Sequence, residues 1–117
     1  MENKKLMSSY NEKNDTLSGK IFGKNGCIAD YEIGDEIFLS TDENNIPISF
    51  QINHASKTLG FTKEALKNPN VRIAICCDDL KIYFDVFLST QMIFSSQFRN
   101  NYSFNSLFKE YISIFIH

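Results

Sequence analysis

The chain has 117 residues, of which 43% are hydrophobic and 22% are charged, and its formal net charge is −2. This length and composition fit one globular domain with a buried core, which excludes wholesale disorder and leaves no room for a second domain. The basic residues are scattered along the chain, so it lacks the stripe of phosphate-neutralising side chains typical of a nucleic-acid-binding protein, and nucleic acid is disfavoured as a partner.

The first part of the chain predicts a tail. Residues 1–16 are polar and show no hydrophobic period, which indicates a flexible N-terminal tail before a single globular domain over residues 17–117. We find no apolar stretch typical of a secretory signal and no run long enough to cross a membrane. Three cysteines cannot all pair within one chain, so we expect free thiols in a reducing compartment. These features predict a cytoplasmic protein.

Short apolar segments punctuated by glycines follow the tail and predict strands joined by tight turns. Residues 36–40 are predicted as a strand and residues 41–45 as a turn. Apolar and polar residues then alternate over residues 46–52, which indicates a half-buried strand. Pro47 has no backbone N–H to donate, so we expect it at the start of that strand or at an edge of the sheet.

The spacing of apolar residues changes in the middle of the chain. Residues 63–67 favour a short helix, with Ser56 or Thr62 available as its N-cap and Asn68-Pro69 as its end. Two alternating segments follow, and they are separated by a short acidic turn. These are residues 71–77, the turn at 78–79, and residues 80–88. They predict a two-stranded hairpin.

The C-terminal region is predicted as an amphipathic helix, because large apolar residues recur there at helical spacing. They are Phe104, Leu107, Phe108, Tyr111 and Phe115, with Ser103 as the N-cap. Residues 111–116 are also rich in strand-favouring types, and residues 91–98 are equally ambiguous between helix and strand. The fold class predicted is α+β: an antiparallel, twisted sheet of about five to six strands, packed by one or two helices that include the C-terminal helix.

Few residues are suited to acid–base or nucleophilic chemistry. The two histidines, His54 and His117, stand in no catalytic motif. The adjacent Cys76 and Cys77 lack the two-residue spacer that lets paired thiolates bind one zinc ion. No segment has the spacing of a calcium or phosphate loop. The sequence therefore favours a protein that is not an enzyme, and it predicts no cofactor and no metal.

The acidic residues concentrate in one stretch of the chain. They are Asp30, Glu32, Asp35, Glu36, Asp42 and Glu43. Such a stretch steers a basic partner electrostatically, while aromatic anchors supply most of the affinity. We therefore predict a small protein-binding module, of the inhibitor or immunity-type antagonist kind, whose partner is a basic toxin or enzyme. An apolar C-terminal helix leaves a homodimer open as well.

Two other functions remain open. In the first, His54 joins Cys76 and Cys77 around a pocket, and the protein binds a small ligand or is an enzyme. In the second, residues 56–67 carry the function. Their sequence, SKTLGFTKEALK, resembles the turn of helix-turn-helix regulators, in which a small residue, a turn glycine and a later apolar position recur. The resemblance implies a DNA-binding regulator, although Asn68-Pro69 would end the second helix early.

Overall fold

The structure is a computed structural model, and it describes the backbone of residues 4–21, 29–67, 71–77, 80–100 and 111–116. Within these ranges the chain forms nine strands and two short helices. In chain order they are β1 Lys4–Asn11, β2 Thr16–Ile21, β3 Ala29–Gly34, β4 Ile37–Thr41, β5 Pro47–Ile52, α1 Ala55–Leu59, α2 Lys63–Leu66, β6 Val71–Cys77, β7 Lys81–Leu88, β8 Gln91–Arg99 and β9 Tyr111–Ile116.

The strands follow one hydrogen-bonded order, β3-β4-β5-β2-β1-β9-β6-β7-β8. Every pairing is antiparallel except that of β1 with β9, which is parallel. The structure is mainly β with two short helices and therefore matches the predicted α+β class only coarsely. The prediction of five to six strands is too low for the described residues.

The core lies on the inner side of the sheet, where strands from both halves meet. Leu39, Ile52 and Ile82 are fully buried there. The rings of Phe50 on β5 and Phe84 on β7 pack edge to face, with centroids 5.7 Å apart and planes at 78°. This contact joins strands that lie far apart in the hydrogen-bonded order, so the sheet is strongly curled and its two halves close over a shared apolar interior.

The curling also brings the two ends of the sheet together. β3 and β8 are the first and last strands of the order, yet they lie in contact. The ring of Phe98 on β8 lies against the backbone of Gly34 on β3, in the space that a Cβ atom at position 34 would need. A glycine at that position therefore allows this close approach of the two end strands.

The prediction of a tail over residues 1–16 differs from the structure, because β1 pairs with β2 on one side and with β9 on the other. The inward positions of β1 include Ser8, which is fully buried, and Tyr10, which is 7% exposed. Ser8 lies opposite Gly19, and its Oγ is 2.8 Å from where a Cβ of Gly19 would stand. A serine fits this inward position because Gly19, opposite it, has no side chain. A polar residue therefore stands where an apolar one is expected, and the sequence of β1 shows no hydrophobic alternation.

The predicted C-terminal helix is wrong over Tyr111–Ile116, which form strand β9. Residues 101–110, which hold the first part of that prediction, lie outside the described residues. β9 pairs along its whole length with β1, and this pairing supplies backbone hydrogen-bond partners along one edge of β9. The β-branched and aromatic side chains of residues 111–116 suit a strand, and the pairing with β1 decides between the two conformations.

Other local predictions are confirmed. The hairpin of β6 and β7 pairs from Val71 opposite Leu88 to Cys77 opposite Ile82. β5 begins at Pro47, although it lies between β4 and β2 rather than at an edge. Thr62 is the N-cap of α2, where its Oγ1 accepts a hydrogen bond from the backbone N–H of Ala65 at 3.2 Å. Two elements were left open or missed by the sequence patterns. Residues 91–98, which were ambiguous between helix and strand, belong to strand β8. The helix α1 is an additional element that the sequence did not predict.

Candidate functional site

A cavity of about 530 Å³ lies where the two ends of the sheet approach each other. It is bounded by the turn between β3 and β4, by the start of α1 and by one side of β8. Its lining combines charged, hydroxyl and aromatic side chains. They are Asp35, Glu36, Ile37, His54, Lys57, Thr58, Phe94, Ser96 and Phe98. A concave site of this size with an apolar wall and a few polar groups is typical of small-molecule binding.

The acidic side of the cavity is the two-residue turn between β3 and β4. Glu36 has a left-handed backbone with φ 66°, which a non-glycine residue adopts at some cost. Its carbonyl accepts a hydrogen bond of 2.9 Å from the N–H of Asn53, which fixes the turn against the connection between β5 and α1. This bond holds Asp35 and Glu36 beside the start of α1.

His54 and Lys57 form the opposite side. His54 also has a left-handed backbone, with φ 49° and ψ 47°, and its carbonyl accepts a hydrogen bond from the N–H of Thr58 at 2.8 Å. Its imidazole is 68% exposed, and its Nδ1 lies 3.5 Å from Oε2 of Glu36. The His54–Glu36 contact therefore links the two sides of the cavity at the solvent boundary.

The start of α1 is held by Asp15, from the turn between β1 and β2. The carbonyl of Asp15 accepts the N–H of Ala55 at 2.8 Å. Its carboxylate accepts the N–H of Ser56 at 3.0 Å, the hydroxyl of Ser56 at 2.6 Å and the hydroxyl of Tyr10 at 2.6 Å. Because His54 provides no side-chain cap, Asp15 supplies the acceptors for the first N–H groups of the helix.

These contacts shift two pKa values. Burial opposes the ionisation of Asp15, but the hydrogen bonds from Ser56 and Tyr10 outweigh it and hold the pKa of Asp15 below its usual value. Burial, followed by the hydrogen bond to Asp15 and the charge of that carboxylate, raises the pKa of the Tyr10 phenol well above its usual value. The network therefore favours an ionised Asp15 beside a neutral Tyr10, and it places α1 at the cavity.

Strand β8 supplies the aromatic wall. Phe94, Ser96 and Phe98 alternate along this strand and so share one of its sides, with the hydroxyl between the two rings. Both rings are half-buried and pack against the core, and buried Ile37 adds a further apolar surface. The cavity therefore has an apolar interior and a charged mouth.

The structure spreads the six predicted acidic residues along the hairpin of β3 and β4 and does not gather them into one cluster. Asp35 and Glu36 lie at one end of this hairpin, and Asp42 and Glu43 lie at the other, beyond β4. β4 has five residues, so the two turns are about 16 Å apart. Exposed positions 30 and 32 lie between them on β3. The result is a strip of acidic side chains.

Hydrogen bonds hold Asp42 and Asp30 of this strip in place. The carboxylate of Asp42 accepts the N–H groups of Asn44 at 2.8 Å and Ile46 at 3.1 Å, so it shapes the turn between β4 and β5. The carboxylate of Asp30 accepts a hydrogen bond from the hydroxyl of Ser40 on β4. These bonds leave negative charge at the surface while fixing its position.

The strip lies beside an outward-facing aromatic residue that the sequence reasoning did not single out. Phe38 on β4 alternates with buried Ile37 and Leu39, so its half-buried side chain lies on the outer side of the sheet. Its register partners are Glu32 on β3 and Gln51 on β5. One feature of the sequence indicates an outward-facing side chain for Phe38, namely its position between two apolar residues, Ile37 and Leu39, of a predicted strand.

The sequence also predicted a pocket that joins His54 to Cys76 and Cys77. His54 lines the cavity, and the backbone of the two cysteines ends β6, which β7 separates from β8. The side chains of Cys76 and Cys77 lie outside the described residues, so this pocket stays a prediction. Among the described residues no group of three or more histidine, cysteine or carboxylate side chains is placed to hold a metal ion. In the same residues, no helix has the length and apolarity needed to span a membrane.

Residues 56–67 do contain two helices, as a helix-turn-helix arrangement requires. α2, however, has only four residues, and it buries Leu66 completely in the core. A helix of four residues is about 6 Å long, which is shorter than the recognition helix that lies in a major groove. These residues therefore form part of the cavity wall through α1, and α2 is too short to serve as a recognition helix.

Comparison of the chain with protein-family models, with curated proteins and with solved structures finds no match in any of the three.

Proposed function

We propose that this chain is a cytoplasmic protein-binding module, of the inhibitor or immunity-type antagonist kind, which binds a basic protein through the outer face of β3, β4 and β5. The observation that carries this proposal is the separation of charge along the chain. Residues 29–53 hold six acidic side chains and no lysine or arginine. The rest of the chain holds eight acidic and twelve basic side chains, so its formal charge is opposite in sign.

A face of one sign favours a partner of the other. Six carboxylates on β3 and on the two turns that flank β4 create a local negative potential although the net charge of the chain is only −2. Such a potential raises the association rate with a basic protein and disfavours acidic competitors, and it weakens as salt screens it. Acidic residues on an edge strand have another role, because their charge discourages edge-to-edge aggregation. That role does not explain the acidic residues at positions 35, 36, 42 and 43, which lie in turns outside the strands.

Phe38 gives this face an apolar anchor. It lies on the middle strand of the three, between Glu32 and Gln51, and is half-buried. Interface energy is commonly concentrated in an aromatic residue that becomes fully buried on binding, surrounded by polar side chains that exclude water. An aromatic residue between a carboxylate and an amide has this arrangement, and it matches a basic partner with an apolar pocket.

The proposal is tested by affinity capture from native cell lysate with three forms of the tagged full-length chain. The first is the unchanged protein. The second carries Asp30→Asn, Glu32→Gln and Glu43→Gln. The third is a matched control that removes the same number of charges elsewhere, through Glu12→Gln, Glu64→Gln and Asp85→Asn.

We expect a basic protein to be retained by the unchanged chain and by the control at low salt, to be released at moderate salt, and to be lost from the second form. Mass spectrometry identifies the captured proteins. Equal capture by all three forms would contradict the proposal, as would recovery of nucleic acid or of the chain alone.

A further inference from the structure

The cavity between the β3–β4 turn, α1 and β8 has two charged side chains of opposite sign at its mouth. Asp35 lies on one side and Lys57 on the other, and both are exposed. Within the described residues neither side chain takes part in a hydrogen bond or ion pair. The two are therefore not within ion-pair distance of each other, although they line the same cavity.

The other carboxylate at the mouth has a partner within the protein, because Oε2 of Glu36 lies 3.5 Å from Nδ1 of His54. This contact leaves one free carboxylate and one free ammonium group at the mouth. A ligand that carries both an ammonium and a carboxylate group complements this pair, whereas a ligand with a single charge satisfies only one of them.

The interior of the cavity selects a ligand with an apolar body. The rings of Phe94 and Phe98 form its wall, and Ile37 is buried behind the acidic turn. The volume of about 530 Å³ lies within the range of small-molecule sites. We propose that this cavity binds a zwitterionic small molecule with a large apolar side chain, the class of the aromatic and large aliphatic α-amino acids. This inference goes beyond the proposed function and does not depend on it.

The test is an NMR titration of the full-length, ¹⁵N-labelled chain with three probes of similar shape. L-phenylalanine carries both charges, phenethylamine carries only the ammonium group, and 3-phenylpropanoate carries only the carboxylate. We expect L-phenylalanine to shift the amide signals of residues 35, 58 and 96 and to bind at least about threefold to tenfold more tightly than either analogue, because each exposed charge contributes modestly.

Two variants test the assignment of the charges. Asp35→Asn is expected to weaken L-phenylalanine binding about threefold to tenfold while leaving 3-phenylpropanoate unaffected, and Lys57→Gln is expected to do the same while leaving phenethylamine unaffected. Glu64→Gln and Lys13→Gln are matched controls, because both side chains are exposed and lie outside the cavity. We expect no change from either control.

Three results would overturn the proposal: no shift of the cavity amides up to the solubility limit of L-phenylalanine, equal affinity for all three probes, or unchanged binding in both cavity variants. None of them affects the capture experiment, since the charge variants used there leave Asp35 and Lys57 in place. Conversely, failure to capture a basic protein leaves the titration result standing.

Discussion

Asp15→Asn removes the charge at the point where the β1–β2 turn holds α1. In the structure the Asp15 carboxylate accepts three hydrogen bonds, one from Tyr10 and two from Ser56. Hydrogen bonds to an ionised acceptor contribute roughly 1.5–3 kcal/mol each, and bonds between neutral groups about 1 kcal/mol. Asparagine keeps one acceptor oxygen and tolerates the left-handed backbone at φ 53°, so the substitution perturbs the contacts and not the turn. We expect a loss of about 1–3 kcal/mol in the free energy of unfolding near neutral pH.

The pH dependence gives this prediction a second readout. Because the folded-state pKa of Asp15 is lowered, the ionised carboxylate stabilises the folded state above its ordinary pKa of 3.8. That contribution decreases as the pH falls through 3.8 and is lost below the folded-state pKa. The difference in stability between the unchanged protein and Asp15→Asn should therefore be full near neutral pH and should shrink under acidic conditions.

Urea denaturation followed by circular dichroism, repeated from neutral to acidic pH, measures both quantities. Tyr10→Phe is a useful companion, because it deletes one of the three bonds and leaves the carboxylate in place. The double variant should lose less than the sum of the single losses, since the two side chains share a bond. Equal stability of Asp15→Asn and the unchanged protein at neutral pH, or a difference that does not depend on pH, would refute the proposed role of Asp15.

Three further predictions concern packing, capping and charge. Gly19→Ala would place a Cβ atom 2.7 Å from Cε1 of Phe50, so we expect overpacking to cost about 1–3 kcal/mol in urea denaturation, and a loss below 0.5 kcal/mol would contradict this packing. Thr62→Ala deletes the N-cap of α2 and should cost about 1 kcal/mol, with faster amide exchange confined to residues 63–67; unchanged exchange there would argue against the cap. Joint reversal of exposed positions 30 and 32 to lysine should weaken binding of a captured basic partner and reduce the salt dependence of its affinity, and unchanged binding would remove the electrostatic part of the proposal.

The local sequence pattern was sufficient to predict the elements whose pairing or capping partners are close in the chain. The pairing of β6 with β7 follows from two alternating segments that are separated by only a few polar residues, so each residue has its partner close in the chain. β5 begins at Pro47 because proline suits a strand start, and Thr62 caps a helix because its hydroxyl can accept a backbone N–H. In these elements the information needed for the structure lies within about twenty residues of sequence.

The local sequence pattern gave the wrong prediction for elements whose conformation depends on a strand that is distant in the chain. β9 is a strand because it pairs with β1, about a hundred residues earlier in the chain, whereas its apolar spacing alone also fitted a helix. β1 has buried Ser8 at an inward position, which is favourable only because Gly19 on β2 has no side chain opposite it. Neither fact can be derived from the period of the segment itself.

The sequence by itself determined the acidic character of residues 29–53, the alternation that divides each of the strands β4 to β7 into an inner and an outer side, and the position of His54 between a strand and a helix. Only the tertiary structure decided that the sheet curls until Phe98 lies on Gly34, and that this closure leaves a cavity between charges from separate segments. The physical reason is that side-chain alternation is a local property of the backbone, whereas the meeting of β3 with β8 depends on the twist accumulated over all the strands between them.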